Sequence, residues 1–243
     1  MKTSVFNTIV LIVSFILGYV IYEYMLPKFI QDGGPLVILL VAIVIMLVAV
    51  IFERWMSLKK ANGKGPLPKF LKNVQLAVNS GDIDGAIQQC DKQRGSCANV
   101  VRTGLERYKM IVEEGDVKGQ KELMENIQRS IEEATMLEVP MLERNLVMMS
   151  TIASIGTMVG LLGTVLGMIR SFQAMAKAGA PDAIGLALGI SEALINTAGG
   201  LVAGIGGIVA YNFFVTKIDN FTYMIDEASY AIIQSLVSRK PKK

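Results

Sequence analysis

Apolar and polar positions fall into long blocks along this chain. Four stretches are almost free of charge: Val5 to Tyr22, Pro35 to Phe52, Leu146 to Ile169, and Ala187 to Phe214, the last holding one acid, Glu192. A bilayer core of about 30 Å takes about 20 apolar residues as helix, so each stretch reads as a membrane span. Lys2 gives the first stretch a weak positive start, as in a signal peptide. It is long for one, no Ala-x-Ala site follows, and Tyr22-Glu23-Tyr24 resembles an interfacial girdle. It is read as a retained helix or signal anchor, with a signal peptide as the alternative.

Between the second and third stretches the pattern changes to helical amphipathicity. Gly63-Lys64-Gly65-Pro66 and Pro68 mark a turn. Phe70, Leu71, Val74, Ala77 and Val78 predict a helix ended by Ser80-Gly81. Asp82 is placed to cap a second helix through about Gln93. A third is expected from about Cys97 to Glu114, stopping at Gly115. A fourth, from about Val117, is expected to enter the membrane without a break. After the last span, Ile218, Phe221, Ile225, Ala228, Ile232 and Leu236 keep helical spacing, so that span is expected to continue into the tail. The alternative for the tail is an amphipathic helix lying on the membrane surface. No period-two strand pattern occurs.

The expected fold is all-α: a polytopic membrane protein with three core transmembrane helices and an extra N-terminal one, its long helices extending into a cytoplasmic helical domain. The divisions are 1–34 (extra helix or signal anchor, and loop), 35–52 (span), 53–145 (cytoplasmic domain), 146–214 (pore-forming hairpin) and 215–243 (cytoplasmic C-terminal helix). Orientation rests on basic residues. Arg54, Lys59, Lys60, Lys64, Lys69 and Lys72 follow the second stretch, and Lys217, Arg239, Lys240, Lys242 and Lys243 follow the fourth. They place residue 53 onward and the C-terminus in the cytoplasm, and the turn near Lys177–Asp182 outside. Arg170 and Lys177 run against the rule but are outnumbered.

Composition narrows the chemistry. The 243 residues are 52% hydrophobic and 19% charged, with no histidine, two cysteines and a net charge of +3. Lack of histidine removes Ser-His-Asp and Cys-His catalysis and the commonest zinc ligand. No metal cluster, no nucleophile with a base and no cofactor fingerprint is present, so neither an enzyme nor a cofactor is expected. The charge is too small to argue for nucleic acid. Cys90 and Cys97 read as small buried apolar residues. Gly204-Ile-Gly206-Gly207 lacks the lysine and the strand-to-helix setting of a phosphate loop.

The third and fourth stretches are patterned beyond simple anchors. Gly156, Gly160, Gly163 and Gly167 share one helical face, and Gly200 and Gly204 form a small-residue motif, so two backbones can approach closely. Ser150, Thr157, Thr164 and Ser171 repeat every seven residues as a hydroxyl stripe. Each hydroxyl could instead bond its own helix at i−4. Glu192 costs about 2.5 kcal/mol or more inside a span, so it should face protein or water. It reads either as a pore-lining, ion-handling group or as a carboxyl near the outer interface paired with a neighbour. Asn196 and Thr197 extend the polar patch. A single helix pair cannot enclose water, so a pore requires several copies in a ring, with the last two spans innermost.

Leu142-Glu143-Arg144-Asn145-Leu146, Thr151-Ile152-Ala153, Gly160-Leu161-Leu162-Gly163-Thr164-Val165-Leu166-Gly167-Met168-Ile169 and Ser171-Phe172 together closely resemble one helix of the MotA/TolQ/ExbB proton-channel family. Gly189 to Leu201 (GISEALINTAGGL) resembles the next. The resemblance is strong over about 135–214, extends by layout over 35–130, and is closest to the ExbB branch. It implies an inner-membrane motor in which five such chains surround two helices of an ExbD-like partner. That partner supplies a membrane aspartate, and the motion passes through a TonB-like protein to outer-membrane transporters. By the same resemblance Thr164 and Thr197 flank the proton path, joined by Glu192, with Thr157 and Asn196 as further pore-lining candidates. Two departures stand out: the extra stretch 5–22, and Gly156-Thr157 where the family has Ala-Pro, which removes a kink. A TolQ-like motor serving outer-membrane integrity and a non-conducting scaffold are the alternatives.

Overall fold

The computed structural model describes residues 3–114, 119–176 and 182–237. In chain order its helices are α1 (Thr3–Tyr24), the single turn α2 (Lys28–Gln31), α3 (Leu36–Ala61), α4 (Leu67–Ser80), α5 (Ile83–Gln93), α6 (Ser96–Glu114), α7 (Gln120–Glu143), α8 (Leu146–Met175) and α9 (Ala183–Val237). No strand occurs among the described residues, so the all-α expectation holds. The Gly115 and Val117 boundaries, most of the Lys177–Asp182 turn and the basic tail from Arg239 lie outside the described residues.

Three runs are long and apolar enough to cross a membrane: Leu36–Ala61, Gln120–Met175 and Ala183–Leu236. A shorter apolar helix covers Thr8–Tyr24. The chain divides into two compact units, Met1–Arg54 with Asn145–Phe214, and Trp55–Arg144 with Val215–Lys243.

The first unit holds the apolar helices. Val37, Leu40, Ile43, Leu47 and Val50 are buried along α3, while Ile12, Ile16, Val48, Leu161, Val165, Val202, Ile205 and Val209 point outward. An outward apolar face on helices of this length suits lipid. Gly18 of α1 sits against α3, where an added Cβ would lie 3.1 Å from the Ile38 carbonyl oxygen and 3.2 Å from the Ala42 Cβ. Gln31 closes the turn after α1: its Nε2 donates to Tyr22 O at 2.8 Å and Leu26 O at 3.0 Å, and the Tyr22 hydroxyl donates back to Gln31 O.

In the second unit α4 packs on α5, α5 on α6 and α6 on α7. The sequence accounts for each boundary. Pro66 precedes α4, which has a proline in its first turn, and Gly81 ends it at φ +91°. Asp82 caps α5, accepting from the Gly85 N–H at 2.7 Å. Buried residues recur at helical spacing: Phe70, Val74 and Val78, then Val101, Leu105 and Tyr108, then Leu123, Ile127 and Ile131. Gly104 makes room for Ile131. All six apolar positions expected in the tail, from Ile218 to Leu236, are buried, and α9 runs 55 residues without interruption.

One expectation is corrected. The helix after residue 119 does not pass unbroken into the third apolar stretch. It ends at Glu143, and Asn145 adopts a left-handed conformation (φ +65°) before α8 begins. Apolar spacing runs through Arg144-Asn145 and hides the break. Asparagine is one of the few residues that enters this conformation readily. Its Nδ2 donates to Glu53 Oε2 at 3.1 Å, and Glu53 in turn accepts from Arg54 Nε at 2.7 Å and Nη2 at 2.6 Å. Arg54 is fully buried, so this fork supplies the counter-charge its burial demands.

Candidate functional site

The glycine face of α8 lies directly on α9. A Cβ on Gly160 would lie 2.8 Å from the Gly200 Cα, and one on Gly200 would lie 2.6 Å from the Gly160 Cα. Gly156 meets Ala203, Gly163 meets Asn196, Gly167 meets Gly189 and Ala193, and Gly204 receives the Thr157 hydroxyl. Without side chains between them the backbones come into contact, which is what small-residue faces allow in membranes.

That approach brings Thr164 and Thr197 together. Their hydroxyl oxygens are hydrogen-bonded to each other, and both residues are half-buried. Each also faces a carbonyl of its own helix: Thr164 Oγ1 that of Gly160 at 3.3 Å, and Thr197 Oγ1 that of Ala193 at 3.0 Å. Two hydroxyl protons therefore serve three contacts. In one order Thr197 donates to Ala193 O while Thr164 donates to Thr197. In the reverse order Thr164 donates to Gly160 O while Thr197 donates to Thr164.

The rest of the hydroxyl stripe divides. Thr157 donates to Ala153 O at 3.1 Å and Ser150 to Val147 O at 3.0 Å, both within α8. Ser171 is fully buried and donates across the hairpin to Leu186 O at 3.0 Å. Thr164 alone of the four meets a second hydroxyl among the bonds described.

Glu192 is brought to a different partner from the threonines. It is 7% exposed, and Arg170 Nη1 donates to both carboxylate oxygens, to Oε2 at 2.6 Å. Gly34, at φ +75°, lies over it, so close that a Cβ there would stand 2.9 Å from Glu192 Oε1. Asn196 is fully buried. Its Nδ2 donates to Gly33 O at 2.7 Å and to Glu192 O at 3.0 Å, while its Oδ1 has no protein partner. The Gly33-Gly34 turn is thus fastened over the two polar residues of α9. A cleft of about 470 Å³ adjoins them, lined by Asp32, Arg170, Gln173, Asp182 and Glu192 among others. No group of three or more His, Cys, Asp or Glu placed to hold a metal occurs among the described residues.

In the sequence Arg170 stands out only as a charge against the topology rule, and Gly33 and Gly34 carry no signal of a role. The available signal was pairwise: a basic residue near the end of one span and an acid near the start of the next, joined by a short hairpin. The Glu53–Arg54–Asn145 cluster had no such signal, because residues 53 and 145 are far apart in sequence.

Apolar helices with outward apolar faces and a tightly closed hairpin define a multi-pass helical membrane protein. The family model of the MotA/TolQ/ExbB proton channel family matches residues 92–227, more than half of the chain. The chain belongs to that family. It is 42% identical over 91 residues to the biopolymer transport protein ExbB of Pseudomonas putida, covering 37% of this chain and 27% of that one. It is 31% identical over 146 residues to the Tol-Pal system protein TolQ of Pseudomonas aeruginosa, covering 60% and 58%. It is 41% identical over 87 residues to a putative ExbB-like protein of Synechocystis, covering 35% and 41%. These matches each span between about a quarter and three-fifths of the relative's own length.

Proposed function

We propose that this chain is the ring-forming subunit of an ExbB-like motor in a bacterial inner membrane, its C-terminus in the cytoplasm, driven by the proton-motive force. The observation that carries the reading is the Thr164–Thr197 hydroxyl pair on a glycine-packed hairpin. Hydroxyls relay protons but do not store them at neutral pH, because their own ionisation lies far too high. Residues 146–214 hold only two acids, Asp182 and Glu192. Asp182 accepts from the Gly185 N–H at 2.9 Å and Glu192 is paired with Arg170. Neither acid lies beside the threonines among the bonds described, so we read the carboxyl that works with them as one brought by another chain, and an ExbD-like partner with a membrane aspartate fits. Several copies around that partner, five by family resemblance, would complete the wall that one helix pair cannot make. A TonB-like protein would carry the motion to outer-membrane transporters.

The TolQ role is the second reading, favoured by the longer match to the Pseudomonas aeruginosa protein. Deletion of the gene separates them. Loss of active outer-membrane uptake with an intact envelope supports the ExbB role. Detergent sensitivity and periplasmic leakage with normal uptake support the TolQ role. A strain normal in both assays overturns the motor reading.

A further inference from the structure

Along α3 the outward face changes character in order. Val48, Phe52, Trp55, Met56, Lys59 and Lys60 are all exposed, and their spacing puts them on one side of the helix. At about 1.5 Å per residue, Val48 and Lys59 stand about 16 Å apart along the axis. The face thus passes from aliphatic carbon through an aromatic level to ammonium groups within about half of a bilayer core, the order that hydrocarbon, interface and headgroups present. Trp55 and Lys59 meet across one turn, with the Lys59 ammonium 5.4 Å from the centre of the Trp55 ring. That contact holds a positive charge against the aromatic level.

The charge continues past the helix. Between Arg54 and Asp82 the chain holds five lysines, Lys59, Lys60, Lys64, Lys69 and Lys72, and no acid. All five are exposed, and none enters an ion pair among the described residues. Arg54 is buried against Glu53 and adds nothing outside. The turn after α3 is fixed in place. Gln93 Nε2 donates to Asn62 O at 3.2 Å and to Gly65 O at 3.0 Å, and the Lys64 N–H donates to Gln93 O at 2.8 Å. The Lys64 backbone is therefore pinned close to the end of α3. Ammonium groups gathered this way repel one another unless anions come between them.

We propose that residues 55–64 form a binding surface for anionic phospholipid headgroups, drawn from the leaflet at which α3 leaves the bilayer. Phosphodiester anions neutralise Lys59, Lys60 and Lys64, the acyl chains lie along Val48 and Phe52, and Trp55 sits at the level between. Lys69 and Lys72, on the exposed side of α4, add to the same positive field. A basic cluster beside a membrane span attracts such lipids by about fivefold per lysine. The surface depends neither on the motor reading nor on which side of the membrane this end of α3 faces.

Trp55 is the chain's one tryptophan, so its fluorescence reports on its own lipid neighbours. The full chain is reconstituted in phosphatidylcholine vesicles that carry a fixed fraction of lipid brominated on its acyl chains, either phosphatidylglycerol or phosphatidylcholine. Bromine quenches only at short range, and the ratio of the two quenching constants gives the local enrichment of the anionic lipid. Wild type is expected to enrich phosphatidylglycerol about fivefold or more, with the ratio falling as salt is raised. Lys59→Gln/Lys60→Gln/Lys64→Gln keeps the tryptophan and a polar surface, and is expected to bring the ratio close to one. Should that variant fail to insert, Lys59→Gln alone is expected to lower the ratio by about half or more. Equal quenching by the two lipids in wild type overturns the proposal and leaves the lysines to an acidic protein surface. A wild-type ratio retained in the variant that inserts also overturns it, because other charges then gather the lipid.

Discussion

The hydroxyls of Thr164 and Thr197 share one hydrogen bond across the α8–α9 contact, and each has a helix carbonyl in reserve. Reversing the order of their two protons needs only two hydroxyl rotations. Thr164→Val and Thr197→Val keep the shape and remove the oxygen. Each is expected to lower proton-driven coupling by about 10²-fold, the scale of a lost proton-transfer group, with a change in stability of about 1 kcal/mol. Thr164→Ser is expected to retain coupling. Wild-type flux in both valine variants, measured in the reconstituted assembly, would remove the threonines from the path.

Gly160 and Gly200 leave no room for a methyl group. Gly200→Ala places its Cβ against backbone, which cannot rotate away. A loss of about 1–3 kcal/mol is expected, the usual cost of overpacking, read as a lower melting temperature in detergent. Gly119→Ala is the matched control, because a Cβ there meets nothing within 4 Å. Equal melting of the two variants would mean that the hairpin contact is looser than described.

Asn145 combines a left-handed backbone with a side-chain bond to Glu53. Asn145→Ala loses the bond and strains the turn, with an expected cost of about 1–2 kcal/mol. Asn145→Gly loses the bond but suits the backbone, and is expected to cost less than the alanine variant. An alanine variant at least as stable as the glycine variant would show that the turn relaxes into ordinary helix. Thermal melts of the full chain rank the three proteins.

Burial pushes the Cys90 thiol up from 9.0 to about 12, and the neighbouring Cys97 adds to the effect; burial moves Cys97 to about 12 as well. Neither is expected to react with maleimide at pH 7 in the folded protein, and both should react once it unfolds. The sign of the pH effect follows from linkage. The unfolded thiols ionise near 9 while the folded ones hold their protons to about 12. Their contribution to stability is therefore complete below pH 9 and lost as pH rises from 9 toward 12. Cys90→Ala/Cys97→Ala should flatten stability in that window, and an unchanged slope would assign the alkaline loss to other groups.

Much of this fold is legible in local chemistry. Asp82 announces α5, Gly81 ends α4, and the six apolar tail positions extend α9, because caps and spacing act within a few residues. The glycine spacing of α8 was legible for the same reason, as a face where another backbone can approach; which helix approaches it is not written in that spacing. The break at Asn145 was not, since the left-handed residue leaves the apolar rhythm intact on both sides. Arg170 and Glu192 were each visible as charges. Their pairing depends on how the hairpin sets α8 against α9, which hydropathy does not encode.

The contact of Gly160 with Gly200 is narrower than a water molecule, so the seam between α8 and α9 is dry at that level. A newly made chain inserted alone therefore offers ions no route along its own hairpin. On the motor reading proposed above, the conducting route therefore forms on an outer face of the hairpin, to be completed by other chains of the assembly.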